Sequence, residues 1–214
     1  VVEVLALDIG TRFVPYDEGL RVQRQLHDEI ASGTRHDALV LLEHESVYTA
    51  GKRTEDDERP TDGTPVVDVD RGGKLTWHGP GQLVGYPILR LPDPIDVVGY
   101  VRNLEGVLLS VLNEFDIDAV RVEGRSGVWV RRGLTHDKIA AIGIRVAGGV
   151  TMHGFALNCS NELSPYASIV ACGIRDAGVT TMSRQLNRAV TPLEVLPHVI
   201  ALFTQKFEVA HELS

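Results

Sequence analysis

Between Ala119 and Cys159, three strand-like runs follow one another with almost no chain between them: "AVRVEGRSGVWV", "KIAAIGIRVAG" and "VTMHGFALNC". The connections "RRGLTHD" and "AGG" suit hairpins, so the three runs predict consecutive antiparallel strands. Helical patterns surround them. The segment "YDEGLRVQRQLHDEIASG" puts Val22, Leu26 and Ile30 on one stripe and ends at Gly33. Val97, Val101, Leu104, Leu108, Val111 and Phe115 recur at spacings of three and four behind Asp96, a natural N-cap. The capping box Thr191-Pro192-Leu193-Glu194 opens a last helix whose expected buried face is Leu193, Leu196, Ile200, Phe203 and Phe207. Upstream of the hairpins, "ALVLLEH", "SVYTAG" and the chain from Val66 to "LVGYPILRL" read as strands. They are interrupted by "KRTEDDERPTDGTP", too polar to pack and expected to be a mobile surface loop, and are ended by "LPDPID". No repeat, low-complexity tract or long linker divides the chain. The expectation is one α+β domain over residues 1–214, a mostly antiparallel central sheet flanked by helices.

Composition narrows the function classes. The 214 residues are 43% hydrophobic and 23% charged, which is ordinary globular usage. A formal net charge of -8 argues against nucleic-acid binding, whose affinity comes largely from Lys and Arg on phosphates. With no run of about 18 apolar residues and no signal-peptide pattern at the N-terminus, the expectation is a cytoplasmic protein without a membrane partner. The two cysteines, Cys159 and Cys172, are too few for a disulfide framework or a four-thiolate zinc site, and no HExxH-type spacing suggests a metal. Walker and dinucleotide fingerprints are absent, as is a GxSxG elbow, although "GRSGV" has a superficial likeness to it.

"RGGKLTWHGPGQLVGYP", from Arg71 to Pro87, holds five glycines among strand residues. Glycine is costly to order, so such a cluster marks either bulges and turns or the close approach of a backbone or ligand. Two thiols compete as nucleophile. Cys159 shares a strand face with Phe155 and Leu157 and reads as core, whereas Cys172, in the loop "SIVACGIRDAG", is the candidate. Activating a thiol needs a base or cation, for which the chain offers His44, His78, His136, His153 and Lys138. Strand alternation puts Lys138 on the face of Ala140, Ile142 and Ile144, where desolvation favours a neutral amine; the alternative is a head group extended back to solvent.

Taken together, "LLEHESVYTAGKR", "RGGKLTWHGPGQLVGYPI", "GVWV", "KIAAIGIRV", "HGFALN" and "ACGI" resemble the lipoyl(octanoyl) transferase family, in order from about Leu41 to Gly178. The resemblance implies the biotin/lipoate protein ligase fold group, and an acyltransferase without cofactor that moves an octanoyl group from octanoyl-acyl carrier protein to a lysine of lipoyl domains. The implied acceptors are the 2-oxoacid dehydrogenase complexes and the glycine cleavage H protein. It also implies that Cys172 is the acyl-thioester nucleophile and Lys138 the group that lowers its pKa and moves protons. The acyl site would be lined by Arg71, Gly72, Gly73, Lys74, Leu75, Thr76, Trp77 and His78, by Ala141, Ile142 and Gly143, and by Gly154, Phe155 and Ala156, with the glycines admitting thioester and acyl chain to the backbone. Two residues depart from the family pattern: Ala171 stands where proline usually precedes the nucleophile, and Asp137 where a basic residue often precedes the lysine. Lys52, Arg53 and Lys74 are candidate docking cations for an acidic carrier. The rival readings are an ATP-dependent lipoate or biotin ligase, which needs no thiol, and a non-catalytic binder of acyl carrier or lipoyl domain.

Overall fold

The computed structural model describes residues 1–60, 63–169 and 177–212, the side chains of 209–212 excepted. The predicted meander is present with four strands rather than three, because the run "AVRVEGRSGVWV" turns back on itself at Glu123 and Gly124: β7 (Ala119–Val122), β8 (Arg125–Arg132), β9 (Thr135–Ala147) and β10 (Val150–Asn158) pair antiparallel in sequence order. The sheet continues through β6 (Gln82–Ile88), β2 (Ala38–Leu42) and β1 (Glu3–Leu7), giving the order β1-β2-β6-β10-β9-β8-β7. β1 runs parallel to β2 because α1 (Tyr16–Ala31) carries the chain back between them, as a parallel pair requires. A two-residue strand, β11 (Gly178–Val179), joins parallel to the start of β9.

A second sheet of β4 (Val66–Asp68), β3 (Val47–Ala50) and β5 (Leu75–His78) stands apart from the first. Sequence pattern marks strands but not their partners, so this division was not foreseen. Neither was α3 (Met182–Leu186), which is too short to show a helical period; Thr181 caps it by accepting from Arg184 N.

Two cores lie on opposite faces of the large sheet. On one face, α2 (Val97–Glu114) and α4 (Pro192–Glu212) pack Val107, Leu108, Val111, Val195, Val199 and Phe203 against Leu39, Leu41, Leu83 and Leu157. On the other, Leu26 and Ile30 of α1 cover Val40, Leu42, Val84, Tyr86 and Ala156. Asp96 caps α2 as expected, accepting from Gly99 N at 2.8 Å. The stripe of α2 begins later than predicted, with Tyr100 buried and Val97 exposed. In α4 the expected Leu193 is 56% exposed. Its buried row is instead Val195, Val199, Phe203 and Phe207, while Leu196 and Ile200 are half-buried at its edge. The polar loop after β3 carries one turn of 3-10 helix, Asp56–Glu58, closed by reciprocal bonds between Glu55 and Glu58. Among the described residues, no helix is long and apolar enough to cross a membrane.

Candidate active site

A cavity of about 190 Å³ opens on the α1 face of the large sheet, bordered by the loop and strand that follow Asp70. Burial divides it into levels. Arg53, Gly72, Gly124 and Ser126 are exposed at the mouth, Arg71 and Lys138 are buried in its walls, and Tyr16, His78, Tyr86 and Ala156 are buried at its floor. A larger hollow of about 700 Å³, between the C-terminal end of α1 and the start of α2, is lined by none of the candidate site residues.

Most of the residues singled out from sequence meet here: Arg71, Gly72, Gly73, Lys74, Thr76, His78, Lys138, Ala141, Ile142, Gly143, Gly154, Phe155 and Ala156 all border the cavity. Leu75 and Trp77 do not. In β5 the side chains alternate, so Thr76 and His78 face the cavity while Leu75 and Trp77 pack with Tyr48, Ala50 and Tyr166. Cys172 lies outside the described residues, as does Ala171. The described chain ends at Ile169 and resumes at Ala177, with Gly178 in register with Asp137 and Val179 with Lys138.

Lys138 is not on the face of Ala140, Ile142 and Ile144. Val128 pairs with Ala140 and Trp129 with Lys138, so Ile139 is an extra residue in β9. Such a bulge reverses the alternation. Ile139 and Ala140 both point into the helical core, and Lys138 turns to the cavity instead. It is 6% exposed, with Nζ 4.6 Å from the centre of the Trp129 ring. The alternative of a lysine extended into solvent is likewise not realised. Asp137, the unusual neighbour, accepts from Arg132 Nε at 2.8 Å across the hairpin.

Arg71 organises the loop rather than only lining it. Its Nη1 donates to the carbonyls of Gly72 and Lys74, and its Nη2 to the carbonyl and hydroxyl oxygens of Thr49. One guanidinium thereby ties the loop to the small sheet. Gly73 completes it at φ +90°, a conformation that a side chain would strain. The remaining glycines of the stretch serve packing: at Gly81 a Cβ would collide with the Asn161 backbone, and Gly85 lies under the Phe155 ring. Only Gly72 and Gly73 of those five border the cavity, so the expectation that all admit substrate is corrected. Lys74 is held by Glu55 and Glu58, which removes it from the exposed docking cations.

The floor contains groups that sequence reasoning passed over. Tyr16 and Tyr86 are not singled out by the sequence, and Gly124–Ser126 lies within the strand-like run "AVRVEGRSGVWV"; only placement beside the two glycine-bearing stretches distinguishes them. His44 stands behind Tyr86, with Nδ1 2.8 Å from the Val14 carbonyl and Nε2 2.6 Å from the Tyr86 hydroxyl. A carbonyl only accepts, so Nδ1 carries the proton and Tyr86 donates to Nε2. His153, at φ +59°, meets Asp70 at 2.8 Å, and Asp70 also pairs with Arg145. His136 does not border the cavity.

Burial drives His44 down to about 4, and burial together with neighbouring His44 drives His78 down to about 3. Unfolded, each ring takes its proton near 6.5, so acidification first favours the unfolded chain. The stability carried by the neutral rings is complete above about pH 6.5 and drains as the pH falls toward 4 and 3. At roughly 1.4 kcal/mol per pH unit and group, moving from pH 7 to pH 5 is expected to cost on the order of 4 kcal/mol. Urea unfolding at the two pH values measures it, and an unmoved midpoint would refute the neutral pair.

The sequence matches the family described as Lipoyl protein ligase A/B catalytic domain over residues 15–204. It is 65% identical over 196 residues to the Octanoyltransferase of Leifsonia xyli subsp. xyli, covering 91% of this chain and 88% of that one. To the Octanoyltransferase of Clavibacter sepedonicus it is 59% identical over 202 residues, covering 92% and 87%. Its fold is like that of a bipartite lipoate protein ligase from Thermoplasma acidophilum, with TM-score 0.71 at 15% identity over 97% of this chain and 83% of that one. A lipoate-protein ligase A bound with ATP gives TM-score 0.71 at 17% identity over 96% and 85%. The chain belongs to the lipoyl protein ligase A/B catalytic-domain family, on its octanoyltransferase branch, and is an acyltransferase.

Proposed function

We propose that this enzyme, acting as a single catalytic domain, takes an octanoyl group from octanoyl-acyl carrier protein and passes it, through a thioester on Cys172, to a lysine of lipoyl domains. The acceptors are those of the 2-oxoacid dehydrogenase complexes and the glycine cleavage H protein, and the reaction is the first step of protein lipoylation. The octanoyltransferase relatives support the transfer. The observation that carries the cysteine route is the bulge that turns Lys138 into the cavity, beside a strand, Gly178–Val179, that leads out of the stretch bearing Cys172.

In the first half-reaction the Cys172 thiolate attacks the carbonyl carbon of the carrier thioester. A new C–S bond forms, the old one breaks, and the departing carrier thiolate takes up the proton that Cys172 gave to Lys138. In the second, the acceptor amine attacks the same carbon, the C–N bond forms as the Cys172 C–S bond breaks, and the amine's extra proton leaves by Lys138 to restore the thiol. One thioester replaces another, then an amide replaces a thioester, so no nucleotide is consumed. The Lys138 ammonium stabilises each thiolate as it forms.

The cavity, about 190 Å³, is close in size to a hollow that accepts benzene, ~150 Å³, and below the ~300–1,000 Å³ usual for drug-sized ligands. Burying an octanoyl tail there gains on the order of 5 kcal/mol as an upper bound. Incubation with octanoyl-acyl carrier protein, without ATP, is expected to add the mass of one octanoyl group to the enzyme and then to move it to an added lipoyl domain. Transfer from free octanoate that requires ATP would establish the ligase reading instead, and binding without turnover the non-catalytic one.

A further inference from the structure

The cavity's walls and floor differ in a way that the transfer chemistry alone does not require. We infer that Tyr16, Tyr86 and His78 form a rigid stop that sets the length of the acyl chain, which lies over a trough of paired small residues on the sheet. The inference rests on the proposed acyl transfer and adds to it the feature that selects the chain.

The trough follows from register. Gly143 lies opposite Gly154 and Ala141 opposite Ala156, so two neighbouring cross-strand pairs on β9 and β10 leave the sheet surface without bulk where the cavity runs. At Gly143 a Cβ would already come within 3.0 Å of the Arg71 side chain. The direction of the chain follows from burial. Cations occupy the mouth and walls, where a thioester carbonyl and its leaving group can use them, and an apolar tail leaves water only by running toward the buried end.

The floor can stop that tail because two of its three rings, Tyr86 and His78, have polar atoms that are occupied elsewhere. The Tyr86 hydroxyl is given to His44 at 2.6 Å, and His78 Nδ1 donates to Gln82 Oε1 at 2.8 Å. The amide nitrogen of Gln82 is already committed to the Trp77 carbonyl and Asn158 Oδ1, which fixes its oxygen as the acceptor. The Tyr16 ring stacks on His78, with centroids 6.3 Å apart and planes within 7°. Bonded from behind, Tyr86 and His78 offer carbon to the ligand and resist displacement, and the Tyr16 ring is held in place by its stacking on His78. A shorter chain leaves a void against them, and a longer one must keep carbons near the mouth.

Comparing kcat/KM for hexanoyl, octanoyl, decanoyl and dodecanoyl donors on acyl carrier protein tests this. Ala141→Leu fills the trough and is expected to raise the hexanoyl-to-octanoyl ratio by about tenfold or more, the scale of one misfitted methylene. Tyr16→Ala opens the stop and should raise the decanoyl-to-octanoyl ratio by a similar factor, with Tyr16→Leu intermediate. Thermal unfolding of each variant verifies that it is folded; should Tyr16→Ala not fold, Ala141→Leu at its half-buried position and Tyr16→Leu decide. Ratios that stay at the wild-type values in the folded variants, even with lower rates throughout, would overturn the inference. A wild-type enzyme that accepts no acyl chain from the carrier would instead overturn the proposed transfer.

Discussion

Cys172→Ala is expected to lower octanoyl transfer by about four orders of magnitude or more, while Cys159→Ala keeps it near the wild-type rate. Losing a nucleophile removes both half-reactions at once, and such losses reach ~10⁶ where the covalent route is the only fast one. Cys159 cannot substitute. It is fully buried in the core between the sheet and the helices, with Sγ 3.6 Å from the Leu157 carbonyl, and burial pushes its thiol far above the ordinary cysteine range. At any working pH it is a neutral thiol, inert as a nucleophile. Its replacement by alanine should show as a stability loss of about 1 kcal/mol rather than as lost turnover. Peptide mapping after exposure to the octanoyl donor locates the adduct. An acyl group on Cys159, or full activity in Cys172→Ala, would exclude the proposed route.

The parts of the fold that local chemistry dictates were legible. The hairpins between Arg125 and Asn158, the Asp96 cap and the core position of Cys159 each depend on a turn, a side-chain oxygen or an alternation within a few residues. Errors arose where a long-range partner decides. "KIAAIG" is apolar at almost every position, so it carries no alternation from which an inserted residue could be noticed; the bulge at Ile139 exists only because β8 pairs on both sides of it. Strand periodicity also separates Leu75 and Trp77 from Thr76 and His78, but which face meets the cavity depends on the small sheet, whose existence the pattern does not encode. The stop at Tyr16 and Tyr86 was hidden for the same reason. An aromatic residue in a helix or strand looks alike whether its ring closes a core or a ligand cavity, and only the small residues opposite tell them apart.

Lys138 offers the test that separates charge from proton transfer. Its Nζ is placed over the Trp129 ring at 4.6 Å, and its Cε passes 3.6 Å from where a Cβ on Gly127 would sit, so the side chain runs through space that a glycine keeps open. Arginine at this position retains a cation that stabilises a thiolate by proximity, and it too favours the face of an indole. It cannot accept a proton, because guanidinium stays charged at every working pH. Lys138→Arg is therefore expected to form the acyl-enzyme slowly yet to lose transfer to the lipoyl domain by ~10²–10⁴-fold, the usual worth of a positioned acid–base group. Lys138→Ala lacks both charge and base and should impair each half-reaction. Single-turnover measurements of the two steps distinguish the causes. A steric failure of the arginine would suppress both steps equally, as in the alanine variant, whereas loss of the proton acceptor weighs most on the second: a thiol beside a fixed cation can still give its proton to water, but the attacking nitrogen then has no base for the proton it must lose as the amide forms. Transfer by Lys138→Arg at near the wild-type rate would leave the lysine a purely electrostatic role, and the proton would then have to leave by another group at the cavity wall.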